Sequence, residues 1–341
     1  MMRRIHRWGA AIAAAILLPT LAACGTGNSE NAMSLMVDVG YLPKHAPFFA
    51  AVDRGFFAQE GLDVTVMPGS GSGNTITAVD TGKVDAGWAD FGVTILSQGR
   101  GAKIKQVDLL QARSAYAVVG TDDGRIHGWG DLKGKTVATE GAGAMTAMWP
   151  YAMRKLGLTE RDVTVVHATS SAKIPGLVAE QWDANLAMSV SDGPAVDAVG
   201  KKPVILKWSD IGIDLYGNGI IFSEEQLTNR PDRVKRFNRA MQRAYLWSCE
   251  HPADAAESFH REVQGYETRT VELALSEQCA LNFRVGREGD PYGHMTDDEV
   301  VTMIDVAHEF LGLDRSSTVR PDQVYSNDYL DDVPPHGIQA P

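Results

Sequence analysis

Three groups of residues combine small, hydroxylated, aromatic and ionisable side chains in ways that suit the capture of a small molecule. The first is Tyr41-Leu42-Pro43-Lys44-His45-Ala46-Pro47-Phe48. His45 there either donates to a ligand acceptor or caps the helix that follows, and Phe48 fits a pocket wall or a core equally well. The second is Gly69-Ser70-Gly71-Ser72-Gly73-Asn74. It contains Gly-x-Ser-x-Gly, but glycine at every other position blurs the strand-to-elbow context that a serine nucleophile needs. It also fails the NTP-loop pattern, because Asn74 and Thr75 follow the last glycine and the required Lys is missing. What it offers is a helix N-terminus with free N–H groups flanked by Ser70, Gly71, Ser72 and Asn74, a cradle for an electronegative group. Gly141-Ala142-Gly143 with Thr146 is a second cradle of this kind, or else plain loop. The third group is scattered over strand ends and first helical turns: Trp88, Asp90, Trp149, Ser189, Ser191, Asp192, Tyr216 and Asn218. Aromatic faces with a few directional hydrogen bonds hold a flat ligand well. Asp192 either pairs with a ligand amine or caps the helix at Pro194.

Metal chemistry finds no support. The nine histidines show no His-Glu-x-x-His, the cysteines no Cys-x-x-Cys, and neither a metal nor a cofactor is expected.

The elements that must carry these residues alternate. Leu35 to Val39 reads as a strand, Phe48, Phe49, Val52 and Phe56 recur at helical spacing, and Val64 to Met67 begins a second strand. The loop from Tyr41 to Pro47 thus lies at the carboxyl end of a strand, where open α/β sheets bind ligands. Further strands are expected at 85–90, 107–119, 162–166 and 182–188, with helices between them. One internal echo supports two similar halves. Ile76-x-x-Val79-x-x-Gly82-x-Val84-Asp85-Ala86 aligns with Ile174-x-x-Leu177-x-x-Glu180-x-Trp182-Asp183-Ala184. From Tyr216 onward the chain reads mostly helical, with a capping box at Ser223-Glu224-Glu225-Gln226 and a helix opened by Pro231. The expected layout is one lobe from 35–117 plus 219–330 and a second from 118–218. The crossovers are expected near 112–120 and 214–222, and a tail at 331–341.

Residues 1–23 read as a leader, with Arg3, Arg4 and Arg7 ahead of an apolar run too short to span a membrane comfortably. It closes on Leu21-Ala22-Ala23-Cys24, which resembles a lipobox. Cys24 would then carry lipid, with 24–34 as a tether; the alternative is ordinary cleavage after Ala23. The chain's net charge is −11, and loss of the three leader arginines makes it −14, poor for nucleic acid. In an exported protein Cys249 and Cys279 either form a disulfide or stay as buried thiols.

The chain also resembles the NMT1/THI5-like and SsuA-like solute-binding proteins, over most of Leu35 to Leu330. His45-Ala46-Pro47-Phe48-Phe49-Ala50-Ala51, Gly55-Phe56-Phe57 with Gly61-Leu62-Asp63-Val64, and Gly82-Lys83-Val84-Asp85-Ala86-Gly87 carry the likeness. Asp131-Leu132-Lys133-Gly134-Lys135 and Tyr216-Gly217-Asn218-Gly219-Ile220 add to it. The resemblance implies a type II periplasmic-binding-protein fold: two α/β lobes, a two-stranded hinge, and a cleft that closes on a small ligand delivered to an ABC-transporter permease. Ligands in the family include thiamin-precursor pyrimidines, riboflavin, and alkyl or aryl sulfonates and carboxylates. The fungal members are enzymes that consume an active-site histidine. The matching stretch here, Phe91 to Gln98, holds none, so a non-enzymatic monomer is expected, lipid-anchored outside the membrane and binding a heteroaromatic such as an aminopyrimidine. An extracytoplasmic hydrolase using Ser70 or Ser72 is the rival, and a ligand-sensing partner of a membrane signalling protein a third reading.

Overall fold

Ten short strands fall into two five-stranded sheets in the computed structural model, which describes residues 31–140, 144–283 and 292–341. The first sheet has the order β2-β1-β3-β10-β4, built from β1 (Ala32–Met36), β2 (Asp63–Met67), β3 (Ala86–Asp90), β4 (Ile104–Asp108) and β10 (Asn218–Ser223). The second has the order β7-β6-β8-β5-β9, from β5 (Tyr116–Thr121), β6 (Thr136–Thr139), β7 (Thr164–His167), β8 (Ala184–Met188) and β9 (Pro203–Lys207). Each sheet pairs three strands in parallel and inserts one antiparallel strand, β10 or β5, that arrives from the other lobe's side of the chain. β5 and β10 are buried along their whole length, as strands covered by helices on both faces must be, and both read as near-continuous apolar runs.

The echo seen in the sequence falls on matching elements. Helix Ser72–Asp80 leads into β3, and helix Ser170–Val178 leads into β8, at the same spacing. The chain crosses between sheets at 109–115 and again at 208–217.

Two cores result. One gathers Leu35, Phe48, Phe56, Trp88, Phe222, Phe237 and Tyr245 under the first sheet. The other joins Val118, Trp149, Leu186 and Trp208 to Phe91, Ile95 and Met303, so it runs from the second lobe into the base of the first. The long helix Pro231–Glu250 buries Val234, Phe237, Met241 and Ala244 on one face and packs on helix Ala46–Asp53. Its end is tied to helix Thr268–Cys279 by a Cys249–Cys279 disulfide, 2.02 Å between sulfurs.

Several boundaries differ from the sequence reading. β1 starts at Ala32, inside the stretch expected as tether, because Ala32 to Met36 finds a full parallel register with β2. The run expected as one strand over 107–119 is broken, since 109–115 turns away to reach the second sheet. Residues 331–341 are not a free tail: Val333 and Ile338 are buried against the first core. Cys24 and the leader lie outside the described residues, as do Gly141 and Gly143.

Candidate ligand-binding site

A cavity of about 630 Å³ opens where the two sheets present their strand ends to each other. From the first lobe come Asp38 just past β1, Asp90 at the end of β3 and Asn218 at the start of antiparallel β10. From the second come Thr139 and Glu140 at the end of β6, Met188 at the end of β8 and Tyr116 at the start of β5. This is the crevice outside the carboxyl ends of the parallel strands where α/β sheets take ligands. Leu42, Val93, Met145, Ile174, Leu186 and Val190 supply apolar wall between the polar groups.

Asp38 is the hub of the first wall. One carboxylate oxygen accepts from Lys44 Nζ at 2.7 Å and from Asn218 Nδ2 at 3.2 Å. The other accepts from His45 Nε2 at 2.9 Å and from the Val39 N–H at 2.8 Å. His45 is fully buried, and its Nδ1 accepts the Leu42 N–H at 3.0 Å, which leaves the ring proton on Nε2 facing Asp38. Burial holds the His45 pKa below the usual histidine value, with the Asp38 carboxylate pulling the other way, so the ring is neutral at pH 7. Burial alone would raise the Asp38 pKa. The Lys44 ammonium and the His45 hydrogen bond outweigh it and hold the carboxyl well below its ordinary range. Lys44 Nζ lies 5.0 Å from the centre of the Trp88 ring, whose face adds a cation–π contact.

Asp90 has a different setting. Its Oδ1 accepts the Val93 N–H at 2.9 Å, capping helix Phe91–Gly99, its Oδ2 meets the Tyr116 hydroxyl at 3.4 Å, and the Gly92 N–H also donates to the carboxylate. Burial raises its pKa above the usual carboxylate value, and the Val93 and Tyr116 donors offset this only in part. Across the cavity Lys173, itself buried, reaches Asp192 Oδ1 at 2.9 Å and Glu140 Oε1 at 3.4 Å. Ser191 Oγ donates to Asp192 Oδ2 at 3.2 Å. Among the described residues no three His, Cys, Asp or Glu side chains converge as a metal site.

Of the residues singled out in the sequence, Ser72, Asp90, Thr146, Ser191, Asp192 and Asn218 line this cavity. The other described ones do not line it: some stand behind it, and Ser70 and Asn74 lie at the exposed surface. His45 serves Asp38 and does not reach into the cavity, so the choice between ligand donor and cap is replaced by a third role. Phe48 and Trp88 are fully buried and meet at a tilt, 5.1 Å between ring centres, and the His45 ring lies edge-on to Trp88 at 5.3 Å. Trp149 packs on Trp208, and the Tyr41 hydroxyl donates to Val66 O at 3.0 Å. The Tyr216 hydroxyl bonds Glu299 and the Thr296 N–H beside the second crossing, and Ser189 is buried at the start of its helix. The expected aromatic sandwich therefore does not form: those rings cover more apolar area inside the lobes than a cleft edge could offer. Among the described residues Tyr116 and Tyr266 are the aromatic rings at the cavity.

The glycine turn acts indirectly as well. A Cβ on Gly69 would lie 1.9 Å from Val37 O, and Gly71, at φ +111°, donates its N–H to Asp38 O at 2.6 Å. Its bare backbone lets the turn press against the strand end that carries Asp38. Ser70 Oγ and Ser72 Oγ accept from the Asn74 amide and the Asp90 N–H, respectively. Neither of these partners is a general base for the hydrolase reading.

Asp38, Lys44, Tyr116, Glu140 and Lys173 were not singled out. Asp38 carried a readable signal, an acidic residue set within the first apolar run, Leu35 to Val39. A buried lysine inside helix Ser170–Val178 carried none.

With this geometry in view, the description NMT1/THI5 like matches residues 42–255. The chain belongs to the NMT1/THI5-like family. The riboflavin-binding protein RibY of Chloroflexus aurantiacus is 23% identical over 310 residues, covering 86% of this chain and 84% of RibY. The 4-amino-5-hydroxymethyl-2-methylpyrimidine phosphate synthase of Schizosaccharomyces pombe is 21% identical over 244 residues, 68% of this chain and 69% of the synthase. The periplasmic aliphatic sulphonate binding protein SsuA from Escherichia coli superposes with a TM-score of 0.66 at 13% identity, covering 82% of this chain and 88% of SsuA. The fold is the type II periplasmic-binding fold. The expectation of a non-enzyme is corrected here, because several relatives are named as synthases alongside binding proteins. A cleft that grips a small molecule is common ground for both, and chemistry depends on a few side chains that family membership does not fix.

Proposed function

We propose that this protein is an extracytoplasmic solute-binding protein that closes its lobes on a small organic molecule and presents it to an ABC-importer permease. Lipid on Cys24 would hold it at the membrane. The observation that carries the reading is the cavity itself, walled by polar groups from both lobes and of a volume suited to one small molecule. A flat heteroaromatic body, such as an aminopyrimidine, suits the apolar walls and the Tyr116 ring. The likeness to RibY and SsuA, each named for a small ligand, supports capture as the activity.

Thermal-shift screening of the detergent-solubilised full chain tests this. A ligand at 100 times its Kd stabilises the folded state by about 2.7 kcal/mol, which for a chain of this size raises Tm by about 5 °C. At least one compound among aminopyrimidines, flavins and aryl sulfonates should produce it. Silence across all three panels sinks the reading. A second reading, catalysis in the same cleft, draws on the synthases among the relatives. Mass spectrometry of the recovered compound separates the two, since capture returns it unchanged.

A further inference from the structure

Among the described residues the charges around the cavity do not balance. Four carboxylates, from Asp38, Asp90, Glu140 and Asp192, face it against two ammonium groups, from Lys44 and Lys173. Both lysines are already committed, Lys44 to Asp38 at 2.7 Å and Lys173 to Asp192 at 2.9 Å. An anionic ligand would have to pull one of them from a buried pair. Asp90 is the contrary case, with no cationic partner among the described residues. Its carboxylate accepts the Val93 and Gly92 N–H groups at the helix start and makes a long contact to the Tyr116 hydroxyl, all of them neutral donors. Capping alone does not explain it, because Asn or Ser accepts the same N–H without bringing a charge out of water. A carboxylate held in this way is an unfilled half of an ion pair.

Resting on the capture reading above, we infer that the ligand is a small organic cation: an apolar or aromatic body carrying a protonated nitrogen that is received by Asp90. The nitrogen donates to Oδ2, and the body lies between Val93 and Leu42 of one lobe and Met188 and Val190 of the other. The cavity is thereby set against the sulfonates and carboxylates otherwise open to it.

Three probes on one skeleton decide the matter: 1-naphthylmethylamine, 1-naphthalenemethanol and 1-naphthaleneacetate, titrated calorimetrically into the full chain. The amine should bind at least about tenfold more tightly than the alcohol or the acid, the effect of one hydrogen bond to a charged group. Asp90→Asn should erase that preference and leave the alcohol within about twofold of its original affinity, since Asn keeps the cap. Because burial pushes the Asp90 carboxyl upward, its charge opposes folding at neutral pH. Ligand-free Asp90→Asn should then melt no lower than the native chain; a clearly lower Tm would mark a structural cap and overturn the assignment. Equal or tighter binding of the acid or alcohol also overturns it, as does a preference that survives Asp90→Asn. If none of the three binds while a flavin or sulfonate does, the cation is wrong and capture stands. If nothing binds, both fall.

Discussion

Asp38 shows how one residue organises a wall that its place in the sequence only hints at. Its carboxylate gathers Lys44, His45, Asn218 and the Val39 N–H, and it is 5% exposed. Replacing it by Asn strands the Lys44 ammonium, itself 3% exposed, and breaking a buried pair from one side costs about 3 kcal/mol. The sign with pH follows from the depressed folded-state pKa. Stabilisation by Asp38 is complete above the unfolded value, about 3.9, and is lost as pH falls through the lower folded one. Urea unfolding of wild type and Asp38→Asn should therefore differ most at pH 7, and the gap should narrow progressively as pH falls below about 4. A gap unchanged between pH 7 and pH 3 would contradict this account.

At the scale of elements, the serine-glycine turn separates glycines that the fold requires from those it merely tolerates. Gly69 is pressed against Val37 O, backbone on backbone, whereas a Cβ on Gly73 would meet nothing within 4 Å. Gly73 lies in the first turn of helix Ser72–Asp80, where Ala is the better helix former. Gly69→Ala should destabilise by about 2 kcal/mol or more and weaken ligand binding through the displaced Asp38. Gly73→Ala should be neutral or gain up to about 1 kcal/mol. Denaturant midpoints of the two variants check this, and equal midpoints would refute it. The sequence marks the turn and its helix plainly; which glycine is indispensable depends on a strand more than 30 residues earlier.

For the whole molecule, the question is what holds the lobes together around the cavity. Helix Thr268–Cys279, bonded to the first lobe through Cys279, packs on helix Ser189–Ala198 of the second. Arg269 forks onto Asp197 at 2.8 and 3.1 Å, and Lys207 meets Glu277 at 2.9 Å. Arg154 of the second lobe reaches Glu309 at 2.6 Å. The exposed pairs among these contribute little and are screened by salt, so ligand contacts and not the Arg269 and Arg154 pairs should govern closure. Arg269→Ala should change the affinity for the best panel ligand by less than about fivefold, as read by calorimetric titration. A loss of about a hundredfold would instead make the pair part of the grip.

The alternation of strands and helices, the echo between Ile76–Ala86 and Ile174–Ala184, and the glycine turn entering a helix are all local. Periodicity and spacing display them directly, so the two-lobed α/β architecture is legible from the residues alone. Ser72, Asp90, Asp192 and Asn218 could be nominated for the same reason, since strand ends are where such sheets bind. What only the tertiary structure decided is which face each side chain turns to. Trp88, Trp149 and Tyr216 went into the cores because burying a large ring there outweighs lining a cleft, while Lys44 and Lys173 came to the cavity because carboxylates distant in sequence meet them there. Partners six to nineteen positions away, or on another element altogether, leave no period for a linear reading to detect.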